Sequence, residues 1–176
     1  YLGDRFFSGV FLGIDATQIS GATAFAIVSA ACWGAARRRP QQPCARVWTV
    51  LAVLLMVLAA DVVWAGRHQV HNLVGQWLKQ SGQYAQRQTL QAGLLGAGLL
   101  VLGLALWGTL VATKGCAQPV RWAALCGLGL LGVFGLEMVS LHGIDAVMYL
   151  QLGPLKLVGW LWLMGALPVG WMAWRR

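Results

Sequence analysis

Long apolar runs separated by short polar segments fill most of the chain. The runs cover roughly residues 14–36, 47–66, 89–113, 121–141 and 156–174. Each run has about 19 to 25 residues, enough for a helix to cross the hydrocarbon core of a bilayer. A backbone in lipid must satisfy its own hydrogen bonds, which favours helices. The pattern therefore predicts an all-α integral membrane protein, a single domain over residues 1–176 built as a bundle of about five transmembrane helices.

The fifth run leaves an alternative open, because Gly153 and Pro154 come shortly before it. A Gly-Pro pair commonly marks a turn, so this segment could enter and leave the membrane on the same side. The chain would then have four spanning helices and a re-entrant or interfacial segment.

Composition agrees with a membrane location. Hydrophobic residues make up 59% of the chain and charged residues 10%, whereas a soluble domain has about 25% charged residues. Eight basic residues fall on one predicted side of the membrane, namely Arg37, Arg38, Arg39, Arg46, Lys114, Arg121, Arg175 and Arg176. The positive-inside rule makes that side cytoplasmic. The chain is thus predicted in a bacterial inner membrane, with its N-terminus outside and its C-terminus in the cytoplasm.

The basic residues behind the net charge of +8 then mark the cytoplasmic side of the membrane, where they are predicted to contact lipid headgroups. No nucleic-acid-binding motif accompanies the arginines, so nucleic acid is excluded as a partner.

The four cysteines lie on the predicted cytoplasmic side. Cys32 and Cys126 fall within spans, and Cys44 and Cys116 fall in connecting loops. Structural disulfides are rare in a reducing compartment, so the sequence predicts free thiols. Cys44 and Cys116 could meet as metal ligands, but no histidine on that side joins them.

Small residues predict how the helices pack. The first span has Ala22, Ala26, Ala30 and Gly34 at every fourth position, the third has Gly93 and Ala97, and the fourth has Gly132 and Gly135. Such seams let helix backbones approach closely. They predict either contacts within the bundle or surfaces for self-association or for another membrane subunit.

The acids and histidines concentrate at the opposite, predicted outer, side. They are Asp4, Asp15, Asp61, Glu137 and Asp145, with His68, His71 and His142. Asp61 lies about 9 Å along a helix from Arg67, and Glu137 lies about 24 Å from Arg121. Both acids are therefore predicted at similar depth inside the membrane, where an acid is costly unless it is paired or faces a polar interior.

Helical phase brings these side chains into two stripes. Asp61, His68 and His71 fall within an arc of about 80°, and Glu137 and Asp145 form a second stripe, with His142 about 60° from Asp145. If the two helices pack together, the cluster could hold a transition metal through His68, His71, His142 and Asp145. One alternative is haem, with one axial histidine from the second span and one from the fourth. Another is that the acid pair Asp61 and Glu137 serves proton movement or a quinone headgroup. The structural alternative is that these groups cap helix ends and pair with basic residues.

Two segments, RHQVHNLVGQWLKQSGQYAQRQTLQ and LEMVSLHGID, resemble a family of uncharacterised bacterial inner-membrane proteins. The family has an outer loop ending in Tyr-x-x-Arg-x-x-x-Gln, here Tyr84, Arg87 and Gln91. It also has a Ser-x-His-x-x-Asp motif, here Ser140, His142 and Asp145. The resemblance covers roughly residues 60–160 and implies a multi-span helical fold, without implying an activity.

Three functions fit these features. The first is a non-catalytic accessory or scaffold subunit of an inner-membrane assembly of the respiratory or photosynthetic type, because no strong catalytic motif is present. The second is a membrane-embedded protein or enzyme that binds a metal, haem or quinone at the outer cluster. The third is a small proton-coupled transporter using Asp61 and Glu137, although no inverted repeat supports it.

Overall fold

A computed structural model describes residues 15–38, 44–64, 76, 80, 87–139 and 142–175. These ranges contain the helices α1 (Ala16–Arg38), α2 (Ala45–Trp64), α3 (Arg87–Ala112), α4 (Gln118–Val139), α5 (His142–Met148) and α6 (Leu157–Trp174), and the strands β1 (Gln151–Leu152) and β2 (Leu155–Lys156). All of these helices except α5 are long and apolar enough to cross a membrane. The prediction of an all-α bundle with five such helices is confirmed.

Four of the long helices form a closed ring. In it α1 packs on α2, α2 on α4, α4 on α6, and α6 back on α1. The hydroxyl of Ser29 on α1 donates a hydrogen bond to the Ala52 carbonyl on α2 at 2.7 Å. On the other side of α1, Thr17 contacts Gly159 and Val28 contacts Gly170, so α1 and α6 run parallel and in register.

The third helix lies outside this ring. It packs against α4, where Leu102 comes to 3.5 Å from the position that a Cβ on Gly132 would occupy. In the apolar 18-residue stretch of α3, no residue is buried within the chain, whereas 33–39% of the residues are buried in the corresponding stretches of the other four long helices. Most of the surface of α3 is therefore left for lipid or for another protein.

The ring has two chemically different ends. The basic end comprises the end of α1, the start of α2, the α3–α4 turn and the end of α6, and it exposes Arg37, Arg38, Arg46, Lys114, Arg121 and Arg175. The acidic end comprises the start of α1, the ends of α2 and α4, and the segment from α5 to the start of α6. Every acid in the described ranges lies at the acidic end.

A small hairpin precedes α6. Strands β1 and β2 pair antiparallel, with Gln151 opposite Lys156 and Leu152 opposite Leu155. Gly153 makes the turn with a φ of 67°, a backbone conformation that glycine adopts without steric cost. Gly153 and Pro154 therefore form a tight turn at the acidic end, and α6 follows it as an unbroken helix of 18 residues.

Most of the predicted small-residue seam of α1 faces away from the ring, and only its first member, Ala22, packs against the core. Ala26 and Ala30 are exposed, and a Cβ on Gly34 would meet nothing within 4 Å. The buried face of α1 instead includes Phe25 and Val28. Large residues of α1 face inwards because the interior of a four-helix ring needs bulky side chains to fill it.

Candidate functional site

An aromatic cluster fills the ring towards its acidic end. Phe25 from α1, Phe134 from α4 and Trp162 from α6 have ring centroids 5.5 to 6.1 Å apart, the range typical of favourable aromatic pairs. Phe25 and Trp162 rank among the largest fully buried side chains described. Three of the four ring helices thus meet at this cluster.

Glu137 lies beside the cluster, and its side chain is only 6% exposed. The indole Nε1–H of Trp162 donates a hydrogen bond to Glu137 Oε1 at 3.2 Å. A carboxyl group inside a membrane protein is costly unless its oxygens are hydrogen-bonded. The Trp162 N–H therefore reduces the cost of burying Glu137. Such a group can accept or release a proton, or accept a hydrogen bond from a polar ligand.

Asp61 lies at the same depth as Glu137 on the neighbouring helix. A Cβ on Gly127 of α4 would meet Leu51 of α2 at 2.5 Å, which sets these two parallel helices in register. Asp61 and Glu137 each follow that contact by about 15 Å of helical rise. The two acids differ in environment, since Glu137 is buried and Asp61 is half-buried.

A second polar site joins the beginnings of α1 and α6. Asp15 Oδ1 accepts the Gln18 N–H at 2.9 Å, and Gln18 Oε1 accepts the Asp15 N–H at 3.1 Å, a reciprocal arrangement equivalent to a capping box. Lys156 Nζ lies 2.5 Å from Asp15 Oδ2, and the Lys156 N–H donates to Thr17 Oγ1 at 3.1 Å. Two residues at the start of α1 therefore hold β2 and the first turn of α6.

The environment of Asp15 favours its charged form. Partial burial raises the pKa of this carboxyl, but the Lys156 ammonium and the backbone N–H groups of Gln18 and Thr17 outweigh burial and hold the pKa below its ordinary value of 3.8. The ion pair thus stabilises the fold above the ordinary pKa, and this stabilisation is lost as the pH falls through the lowered folded pKa.

Asp15→Asn tests that charge, since asparagine can still cap the helix. At neutral pH the variant is expected to be less stable by up to about 1 kcal/mol, because a partly exposed ion pair contributes little more. The difference in stability between the variant and the wild type should become smaller as the pH is lowered through 3.8 and below. Thermal unfolding in mild detergent across this pH range measures it. A difference that stayed constant with pH would show that the charge of Asp15 is not its source.

The other predicted site residues are only partly described. His68 and His71 lie outside the described residues. His142 and Asp145 lie on α5 and Arg87 begins α3, but their side chains are outside the described set. The side chain of Gln91, on the first turns of α3, is half-buried.

A metal centre is therefore still a prediction. Within the described ranges, no group of three or more His, Cys, Asp or Glu side chains could hold a metal ion. The predicted ligands His68, His71, His142 and Asp145 all have side chains outside those ranges. Haem and quinone binding at the acidic end are likewise untested by the described geometry.

At the basic end, Cys44 and Cys116 form a disulfide with a Cα–Cα distance of 5.8 Å. The structure therefore differs from the predicted free thiols at these two positions, and it joins the two sulfurs to each other rather than placing them as metal ligands. The parallel register of α2 and α4 explains the contact, because it places the residue before α2 beside the turn before α4. Cys32 and Cys126, inside α1 and α4, are free thiols as predicted.

Comparisons with known proteins add no further constraint. No protein-family model, curated protein or solved structure matches the chain. Function is therefore inferred from the geometry of α3 and of the two ends of the ring.

Proposed function

We propose that this protein is a non-catalytic accessory or scaffold subunit of a larger inner-membrane assembly, of the respiratory or photosynthetic type. We also propose that α3 is the helix that contacts the neighbouring subunit, and that the basic end faces the cytoplasm. The observation that carries the proposal is that α3 lies outside the ring and that no residue of its apolar 18-residue stretch is buried.

Exposed apolar side chains alone would favour lipid as much as protein, but the glycines of α3 favour protein. Gly93, Gly96 and Gly103 fall within about 80° of the helix circumference, and a Cβ on any of them would meet nothing within 4 Å. Glycine inside a helix costs about 1 kcal/mol relative to alanine. Contact with lipid does not offset this cost, whereas a glycine stripe lets a second helix approach closely.

The glycine stripe also lies on the correct side for an external partner. Leu102, which contacts α4, is about 120° around the helix from Gly96. The stripe on Gly93, Gly96 and Gly103 thus faces away from the ring. The exposed small residues of α1, Ala26 and Ala30, offer a second such surface.

Gly96→Leu is expected to abolish assembly without unfolding the protein. The leucine side chain would hold a partner helix away from the α3 backbone, while the open space around Gly96 leaves the ring unaffected. We expect recovery of the co-purifying subunit to fall by about tenfold or more, corresponding to about 1.4 kcal/mol. Quantitative purification from native membranes in mild detergent measures this loss.

Gly108→Leu is the matched control. Gly108 is on the same helix and is equally open, but it lies about 120° around the helix from Gly96. This variant should keep its partner. Loss of the partner in both variants, or in neither, would argue against the glycine stripe as the contact.

Binding of a cofactor at the acidic end is a second candidate, supported by the buried Glu137 carboxyl and its hydrogen bond from Trp162. The Glu137 carboxyl could exchange hydrogen bonds with a quinone headgroup while Trp162 orients it, and a metal or haem could use the histidines predicted nearby. Proton-coupled transport would use the same carboxyl together with Asp61. A visible spectrum, elemental analysis and quinone extraction on the purified protein test for a bound cofactor. A quinone that is recovered with the wild type and lost in Glu137→Gln would favour this candidate.

A further inference from the structure

The disulfide joins two parts of the chain that are distant in sequence. Cys44 directly precedes α2, Cys116 lies in the turn between α3 and α4, and 72 positions separate them. Both residues are half-buried and pack against the ring interior. The pair is therefore held at bonding distance by the parallel packing of α2 and α4, while one side remains accessible from the basic end.

Each cysteine of the pair has a basic residue two positions away in the sequence. Arg46 follows Cys44 by two positions, Lys114 precedes Cys116 by two, and both are exposed. All acids in the described ranges lie at the opposite end of the ring. Nearby positive charge favours the thiolate form of cysteine, which is the form that attacks a disulfide bond.

The proposed orientation conflicts with a permanent disulfide. The basic end carries the arginines that predict a cytoplasmic location, and thiols there are kept reduced by glutathione and thioredoxin. Cytosolic disulfides, where they occur, are usually transient and either catalytic or redox-sensing. A close pair of cysteines at this end is thus expected to cycle between two states.

We propose that Cys44 and Cys116 form a reversible dithiol–disulfide site. Its co-substrate is the disulfide bond of a low-molecular-weight compound or of a protein. The proposal rests on the proposed orientation of the basic end, but not on the proposed role of α3. One thiolate attacks a sulfur of the co-substrate, forming a mixed disulfide and releasing one thiol. The second thiolate attacks the protein sulfur of that mixed disulfide, closing the Cys44–Cys116 bond and releasing the second thiol. Two electrons pass to the co-substrate, and the two cysteine protons end on the released thiols.

The resting state is measured first, in intact cells. Cells producing the full chain are quenched in acid, and the denatured protein is labelled with a maleimide carrying a polyethylene glycol. We expect all four cysteines of the wild type to be labelled. A wild type that carries only two labels, with Cys44 and Cys116 blocked, would overturn the proposal, because the pair would then rest as a disulfide although thiols on the cytoplasmic side are kept reduced.

The exchange reaction is measured in inside-out membrane vesicles, which expose the cytoplasmic side. Added oxidised glutathione is expected to remove two of the four labels, and a dithiol reductant should restore them. Cys44→Ser and Cys116→Ser should each prevent formation of the internal bond, whereas the double variant Cys32→Ser and Cys126→Ser should still lose two labels. A wild type that keeps all four labels with oxidised glutathione would also overturn the proposal.

A disulfide found in cells could also mean that the basic end faces outwards. A membrane-impermeant reductant added to spheroplasts tests that orientation. If it reduces a Cys44–Cys116 bond that is present in untreated cells, the basic end faces outwards and the disulfide is structural. The α3 variants test the assembly role independently, so either proposal can fail while the other holds.

Discussion

Trp162→Ala is expected to destabilise the protein more than any other single change considered for this fold. The indole is 2% exposed and packs against both Phe25 and Phe134. Removing a buried aromatic side chain typically costs about 3–5 kcal/mol. The substitution also removes the hydrogen bond from the indole N–H to Glu137 Oε1, and such a bond contributes about 0.5–1.5 kcal/mol. Thermal unfolding in mild detergent, followed by circular dichroism, measures the loss.

Two further variants of α6 divide this effect into its parts. Trp162→Phe keeps an aromatic ring but deletes the N–H group, so it should cost less than the alanine variant. Trp174→Ala removes a tryptophan that is 74% exposed from the same helix, and it should have little effect. If Trp174→Ala were as destabilising as Trp162→Ala, the aromatic cluster would not be the source of the stability.

Gly21→Ala is the second change with a large expected effect, although it adds a single methyl group. A Cβ at this position would lie 2.5 Å from Cε3 and 2.9 Å from Cζ3 of Trp162. The indole is rigid and buried, so it cannot move aside without disturbing its hydrogen bond to Glu137. Overpacking of this kind costs about 1–3 kcal/mol. The same thermal unfolding experiment measures it.

Gly34→Ala is the control on the same helix, because a Cβ there would meet nothing within 4 Å. This variant should be as stable as the wild type or slightly more stable, since alanine is the better helix former. A double variant carrying Gly21→Ala and Trp162→Ala adds a second check. The methyl group should cost nothing once the indole is gone, so additive losses would contradict the proposed clash.

The spans could be predicted from the sequence because apolar length is a local property. The run at residues 47–66, for example, is observed as Ala45–Trp64. The start of α1 was not predicted at Asp15, although Asp15 and Gln18 have the spacing of a capping box. The partner of Asp15 was not readable, because Lys156 is 141 positions away and only the packing of α6 brings it close.

The face that each helix turns inwards could not be predicted in the same way. Helix α6 is apolar all round, so no polar stripe marks its outer face, and Trp162 could not be distinguished from the exposed Trp160 by pattern. On α1 the spacing of the small residues suggested a seam, but spacing does not say whether a seam faces the ring or the lipid. Helices in lipid lack the polar–apolar contrast that assigns faces in soluble proteins.

The disulfide was missed for a different reason. The prediction relied on the compartment alone, and the compartment argues against a stable bond. The contact itself depends on α2 and α4 being parallel neighbours, with α3 displaced to the outside. Neither the order of helices around a ring nor the register between two of them is encoded in hydropathy.

The contact of α1 with α6 has a consequence for how the protein is made. These helices are adjacent in the ring but far apart in the order of synthesis, since α2, α3 and α4 are made between them. Until α6 is made, Phe25 lacks its neighbour Trp162, Glu137 lacks its indole donor, and Asp15 lacks its partner Lys156. Ring closure is thus a late event in biogenesis, and chains that stop before α6 should expose a buried acid to the quality-control proteases of the membrane.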